Sequence, residues 1–189
     1  MLREILRDSS LDAALITSGV NIRYYSGFTS SDGMFLVTQK AAYLVTDFRY
    51  TIQAKSQTKG LSQVVEAAFT EQKTRIREFL LADGCKRVAF EEQVMSVGEF
   101  GAYQAMPFEW VPFSVELTKP RLYKSDEEIE SLQQAQRIAD KSYLEFLGRV
   151  HAGMTELEAV AELNYVCMKN GSEGPSFDPI IAGGPNGAM

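Results

Sequence analysis

The sequence predicts an α/β protein: a mixed sheet with helices on both faces, followed by an incomplete α+β segment. Three observations predict it. Short apolar runs alternate with helix-period segments over the first two-thirds of the chain. Two of those runs are separated by a bare polar turn, so the sheet is not purely parallel. Beyond Lys119-Pro120 the texture changes to long amphipathic helices. The domains expected are therefore 1–120 and 121–189.

The strands come first. Ala13-Ala14-Leu15-Ile16-Thr17 reads as a buried strand. Met34 to Thr38 and Ala42 to Thr46 flank Gln39-Lys40 as a hairpin. Ser62 to Glu66, Arg87 to Glu91 and Glu109 to Phe113 are further strands. Between these last three lie helices over roughly 71–83 and 96–105. The first places Thr74, Ile76, Phe79, Leu80 and Ala82 near one face and stops at Asp83-Gly84.

In the second part, Ser125-Asp126-Glu127-Glu128 is a capping box. Ile129, Leu132, Ala135, Ala139, Tyr143, Phe146 and Val150 then recur at steps of three and four, giving one helix of about 25 residues up to Gly153. Thr155-Glu156-Leu157-Glu158 caps a second helix, closed by Asn170-Gly171. Ser176 to Ala182 reads as a strand running into a Gly183-Gly184-Pro185-Asn186-Gly187 turn. A strand of that kind calls for a partner, so 121–189 is expected to be only part of a domain.

Composition bounds the function. The 189 residues suffice for one generous domain, or one and part of another. A net charge of −6 without any basic run argues against nucleic acid, and no apolar stretch approaches membrane-spanning length. The mixed-charge N-terminus is not a signal peptide. Cys85 and Cys167 do not make a disulfide framework; free thiols fit a reducing, cytoplasmic compartment.

No complete catalytic constellation emerges. His151 is the single histidine, and a place near the end of the long helix explains it without a metal. The acidic groups at 126–130 and at Glu156 and Glu158 sit in first helical turns, where the dipole stabilises them. There is no Gly-x-Ser-x-Gly elbow, and the glycine-rich 183–187 segment lacks the Lys-Ser/Thr of a phosphate loop.

Several strings, in order, carry a resemblance. Asn21 to Phe28 (NIRYYSGF) and Leu44 to Tyr50 (LVTDFRY) resemble the N-terminal domain shared by creatinase, prolidase and aminopeptidase P. Arg121 to Ile129, Gly153 to Glu158 and Gly171 to Ala188 resemble the opening of the same family's pita-bread catalytic domain. The resemblance implies a proline-directed metallopeptidase, acting on short proline-containing peptides as a homodimer with two divalent ions (Mn, Co or Zn). Family members hold those ions with two Asp, one His and two Glu. The positions that match the ligands, and a proton-shuttling histidine, would follow the residues present here. The chain by itself is thus expected to bind no cofactor and to be inert, with neither a nucleic acid nor a membrane as partner.

The resemblance carries four positions toward substrate. Phe177 matches a pocket-lining aromatic, and Ile181 would share its strand face. The loop Phe28-Thr29-Ser30-Ser31-Asp32-Gly33 would approach a neighbouring subunit's active site, putting forward Phe28 and Asp32. Core packing remains an open reading for Phe177 and Ile181, and a structural ion pair is expected of Arg49. The alternative for the whole chain is a non-catalytic dimerisation or regulatory module of the same family.

Overall fold

The computed structural model describes residues 1–30, 32–58, 60 and 62–188. It falls into two compact units, Met1–Tyr123 and Lys124–Met189.

The first unit is a six-stranded sheet. Its strands are β1 (Ala13–Ile16), β2 (Met34–Thr38), β3 (Ala42–Thr46), β4 (Gln63–Glu66), β5 (Arg87–Phe90) and β6 (Glu109–Pro112), in the order β4-β3-β2-β1-β5-β6. Only β2 runs against the others, pairing antiparallel with both β1 and β3. The remaining contacts, β3 with β4, β1 with β5 and β5 with β6, are parallel. The mixed sheet expected from the hairpin is therefore what forms. Because β1, β3, β4, β5 and β6 share a direction, their carboxyl ends gather along one edge, where ligands commonly bind in such sheets.

Among the described residues six α-helices surround the sheet: α1 (Leu2–Asp8), α2 (Gly19–Ser26), α3 (Thr51–Thr58), α4 (Gln72–Asp83), α5 (Val97–Gln104) and α6 (Ser114–Thr118). Alternation along β1 divides the core. Ala14 and Ile16 meet Leu6 of α1, Ile22 of α2, Ala54 of α3 and Leu117 of α6. Ala13 and Leu15 face the other way, onto Ile76 and Leu80 of α4 and Tyr103 of α5. All four residues of β1 are buried, as a strand covered on both faces requires. Sequence patterning missed α2, α3 and α6. All three are short, and α3 carries polar residues at six of its eight positions, which leaves it no apolar period to detect.

The second unit contains α7 (Asp126–Leu147) and α8 (Glu156–Lys169). Both predicted capping boxes form: Ser125 accepts from the Glu128 amide, and Thr155 from the Glu158 amide. Two expectations need correction. The long helix stops at Leu147 with Gly148 as its C-cap, short of Val150. His151 consequently lies beyond the helix, its Nδ1 3.1 Å from the Ala152 carbonyl oxygen.

Ser176 to Ala182 does not form a strand. A strand exists through a ladder of hydrogen bonds to a neighbour, and no strand pairs with this segment among the described residues. Pro179 withholds one amide as well. Glu156, in the first turn of α8, instead accepts from the Gly183 N–H at 2.8 Å and from Asn186 Nδ2 at 3.0 Å. The expected glycine turn is a 3-10 helix, Gly184–Ala188.

Candidate functional site

The carboxyl edge of the first unit's sheet holds two polar assemblies and a cleft. The deeper assembly centres on Glu91, which follows β5 and is fully buried. Its Oε2 accepts the amides of Thr17 at 2.6 Å and Ser18 at 2.7 Å, and its Oε1 accepts Asn21 Nδ2 at 2.6 Å. Ser18 is the N-cap of α2 but makes no side-chain cap bond. Glu91 supplies the missing cap from across the sheet, with its negative charge at the positive end of the helix. Asn21 Oδ1 in turn accepts from Arg121 Nη1 at 3.0 Å, joining carboxylate and guanidinium through one amide.

Glu92 repeats the device one residue on. Its Oε2 accepts the Phe113 and Ser114 amides, each at 2.9 Å, and the Ser114 hydroxyl at 2.7 Å, capping α6. Partial burial pushes this carboxyl up, but the bonds from Ser114 and Phe113 outweigh it and hold it below its ordinary range. The turn that follows β5 sets the two carboxylates on the N-termini of α2 and α6, both on the face of the sheet that Ala14 and Ile16 line.

The second assembly is built on the LVTDFRY string. Arg49 engages Asp47 through Nε at 3.0 Å and Nη2 at 2.5 Å, and reaches Asp32 Oδ2 at 3.2 Å. The Asp47 carboxyl is held below its usual range, mainly by the hydrogen bond from Arg49, and the guanidinium is raised by the same contact. Arg49 also lies over the Tyr50 ring at 5.1 Å, and Tyr50 meets Phe28 edge-on at 6.5 Å. The ion pair expected of Arg49 on structural grounds is present, and it ties the loop ahead of β2 to the one after β3.

These contacts fix where the expected substrate positions lie. Phe28 is fully buried among Ile22, Ala54 and Tyr50 and supports the loop from beneath. Asp32 is half exposed on the cleft, one carboxylate oxygen turned to Arg49. Ser31, between them, lies outside the described residues. Gly27 closes α2 in a left-handed conformation (φ 80°), where a Cβ would approach the Gln57 carbonyl oxygen to 3.2 Å. In the second unit Phe177 is 76% exposed and Ile181 is partly buried, on a segment without strand pairing. Sequence reasoning missed Glu91 and Glu92. Their signal was faint: two consecutive acids at the end of an apolar strand.

The cleft has a volume of about 270 Å³. Thr17, Met34 and Asp47 line it from strand ends, Met95 from the segment ahead of α5, and Gln72, Lys73, Glu99 and Tyr103 from α4 and α5. No group of three or more His, Cys, Asp or Glu among the described residues is placed to hold a metal ion. The donor set therefore does not fit the ion pair that the resemblance implies, and no chemical step is assigned to these residues.

Comparison with known proteins decides the relationship. Residues 1–122 match the creatinase/prolidase N-terminal domain. The chain belongs to that family. Residues 130–189 match metallopeptidase family M24. An uncharacterised peptidase of Bacillus subtilis, YqhT, is 36% identical over 97% of the chain and 52% of its own length. Among solved structures, an Xaa-Pro dipeptidase from Bacillus anthracis superposes with a TM-score of 0.85 at 31% identity, over 94% of this chain and 50% of that one. An X-Pro aminopeptidase from Thermotoga maritima gives 0.80 at 32% identity, over 93% and 51%. The creatinase/prolidase-family chain thus spans about half the length of the relatives it matches.

Proposed function

We propose that this chain is the N-terminal portion of a metal-dependent X-Pro aminopeptidase or dipeptidase that hydrolyses the bond before proline in short peptides. One observation carries the reading. A single alignment runs across both units onto Xaa-Pro peptidases, leaving about half of each relative's length unmatched. The ligands for two divalent ions belong to that other half in this proposal. The first unit would serve as a rigid platform: Glu91 fixes α2, Arg49 fixes the loop carrying Asp32, and Phe28 supports that loop. Asp32 would then face the substrate of a second subunit in a homodimer. Phe177 and Ile181 would line the pocket once a neighbouring strand orders their segment. A cytoplasmic setting fits the similarity to the N-terminal domain of a cytoplasmic peptidase, PepQ, of Mycobacterium tuberculosis, at 31% identity.

The test joins this chain to the unmatched C-terminal half of the Bacillus anthracis dipeptidase. Manganese-dependent hydrolysis of Ala-Pro or of an Ala-Pro-led tripeptide is expected from the chimera and not from the 189-residue chain. Turnover by the chain alone that co-purifies with it to homogeneity would overturn the proposal.

A further inference from the structure

Two of the strings that carry the family resemblance, Asn21 to Phe28 and Arg121 to Ile129, stand about a hundred residues apart and meet in the first unit. Asn21 and Tyr25 lie four residues apart on one side of α2. Leu117 and Arg121 are also four residues apart, where the chain leaves the sheet: α6 ends at Thr118 and runs straight into a 3-10 turn, Lys119–Leu122. The two pairs are matched in antiparallel order. Tyr25 donates its hydroxyl to the Leu117 carbonyl oxygen at 2.7 Å, and Arg121 Nη1 donates to Asn21 Oδ1 at 3.0 Å.

Each bond answers a local need. Leu117 is fully buried, so its carbonyl has no water to turn to. In a 3-10 turn that carbonyl would take the amide three residues on, but the residue there is Pro120, which has none. The Tyr25 hydroxyl stands in for it. Burial pushes that hydroxyl up to about 12, so it stays protonated and remains a donor. Asn21 is 3% exposed and cannot turn its oxygen away without losing its own bond to Glu91. The Glu91 carboxylate, at the end of β5, thus fixes the second contact through Asn21.

Beyond Arg121 the chain changes character. Leu122 and Tyr123 are 66% and 79% exposed, and the Tyr123 amide reaches the Pro120 carbonyl only at 3.4 Å. Glu92 already holds the other end of the segment, at Phe113 and Ser114. The stretch from Phe113 to Arg121 is therefore fastened at three points, whereas Leu122 and Tyr123 make no side-chain hydrogen bond among the described residues.

We infer that Asn21 and Tyr25 are positioning residues that clamp the exit segment of the first unit, so that the chain first becomes free to turn at Leu122 and Tyr123. The clamp makes the first unit end in a fixed direction instead of a loose tether. It needs neither a metal nor the M24 residues, so it stands or falls separately from the peptidase proposal.

Backbone amide NMR relaxation of the full 189-residue chain tests it, with Tm measured alongside. Order parameters of about 0.85 are expected through Arg121, with the first fall, to about 0.6, at Leu122 and Tyr123. Tyr25→Phe keeps the ring and its packing but removes the donor, and should move the fall back to Thr118. Pro120→Ala supplies the missing amide and should return the fall to Leu122 in the Tyr25→Phe background. Arg121→Met should release Lys119 to residue 121 and leave Leu117 in place. A hydroxyl that merely added stability would lower Tm without moving the fall. A wild-type fall elsewhere in 113–123, a Tyr25→Phe or Arg121→Met profile that coincides with the wild type, or a Pro120→Ala substitution that rescues nothing overturns the inference.

Discussion

Replacing Glu91 by glutamine tests the account of the first unit most severely. The substitution is isosteric, so packing is retained and electrostatics alone change. Wild-type Glu91 holds four donors: the Thr17 and Ser18 amides and, at 3.4 Å, the Thr17 hydroxyl on one oxygen, and Asn21 Nδ2 on the other. If the introduced side-chain oxygen stays toward the two backbone amides, those bonds pass from the charged to the neutral class, a loss of about 1 kcal/mol each. The introduced NH₂ then faces the NH₂ of Asn21, donor against donor, at a cost of about 1–3 kcal/mol. Asn21 cannot flip without turning its own NH₂ onto Arg121, which it now accepts from at 3.0 Å. Relief from desolvating a charge offsets part of the loss, leaving a net destabilisation of about 2–4 kcal/mol. Trp110, the only tryptophan in the chain, lies in β6 of the same unit, so its fluorescence during urea unfolding reports the relevant transition. At about 4 °C per kcal/mol the thermal midpoint should fall by roughly 8–16 °C. Asn21→Ala should cost at least about 1 kcal/mol less in the Glu91→Gln background than in the wild type, because the contact is already gone. A loss below about 0.5 kcal/mol, or strict additivity of the two substitutions, would refute the bridging role assigned to Glu91.

Three smaller perturbations follow the same physics. Gly27→Ala places a Cβ at a left-handed position 3.2 Å from the Gln57 carbonyl oxygen and should cost about 1–2 kcal/mol or more, read by urea midpoint, whereas Gly84→Ala has open space and should cost less. Ser62 has a buried hydroxyl without a partner among the described residues, so Ser62→Ala should stabilise by about 1 kcal/mol; destabilisation would show that the hydroxyl is satisfied. In the second unit, Lys169, Arg149 and Asn170 together hold the Glu145 carboxyl down to about 2, from an ordinary 4.5. A depressed folded-state value means that the contribution is present above pH 4.5 and is lost as pH falls toward about 2. Helicity of the 124–188 unit should therefore decline across that window, and Glu145→Gln should flatten the decline in circular dichroism; an unchanged profile would assign the acid sensitivity to other carboxylates.

How much was legible follows from which interactions are local. Strand positions, the Gln39-Lys40 hairpin and both capping boxes of the second unit were readable, since each depends on residues within a few positions of one another. The ordered strings from Asn21 to Ala188 were enough to indicate the family. Ser176 to Ala182 was misread because its alternation satisfies the local condition for a strand but not the non-local one, a neighbour to pair with. The resemblance placed Phe28 on a loop facing a neighbouring subunit, yet only the approach of α3 and Tyr50 shows that it is enclosed.

By itself, then, the sequence determined the six strands of the first unit, the longer helices, the mixed character of the sheet and the family, all of which follow from periodicity, turn chemistry and ordered strings. Tertiary structure alone decided the partners of the polar groups. Glu91 meets Thr17, Ser18 and Asn21 across some seventy residues of chain, and Arg49 meets Asp32 from a different loop. Burial turns a polar side chain from a solvated bystander into a group that must be paired, and no local pattern states which residues the fold will bury together.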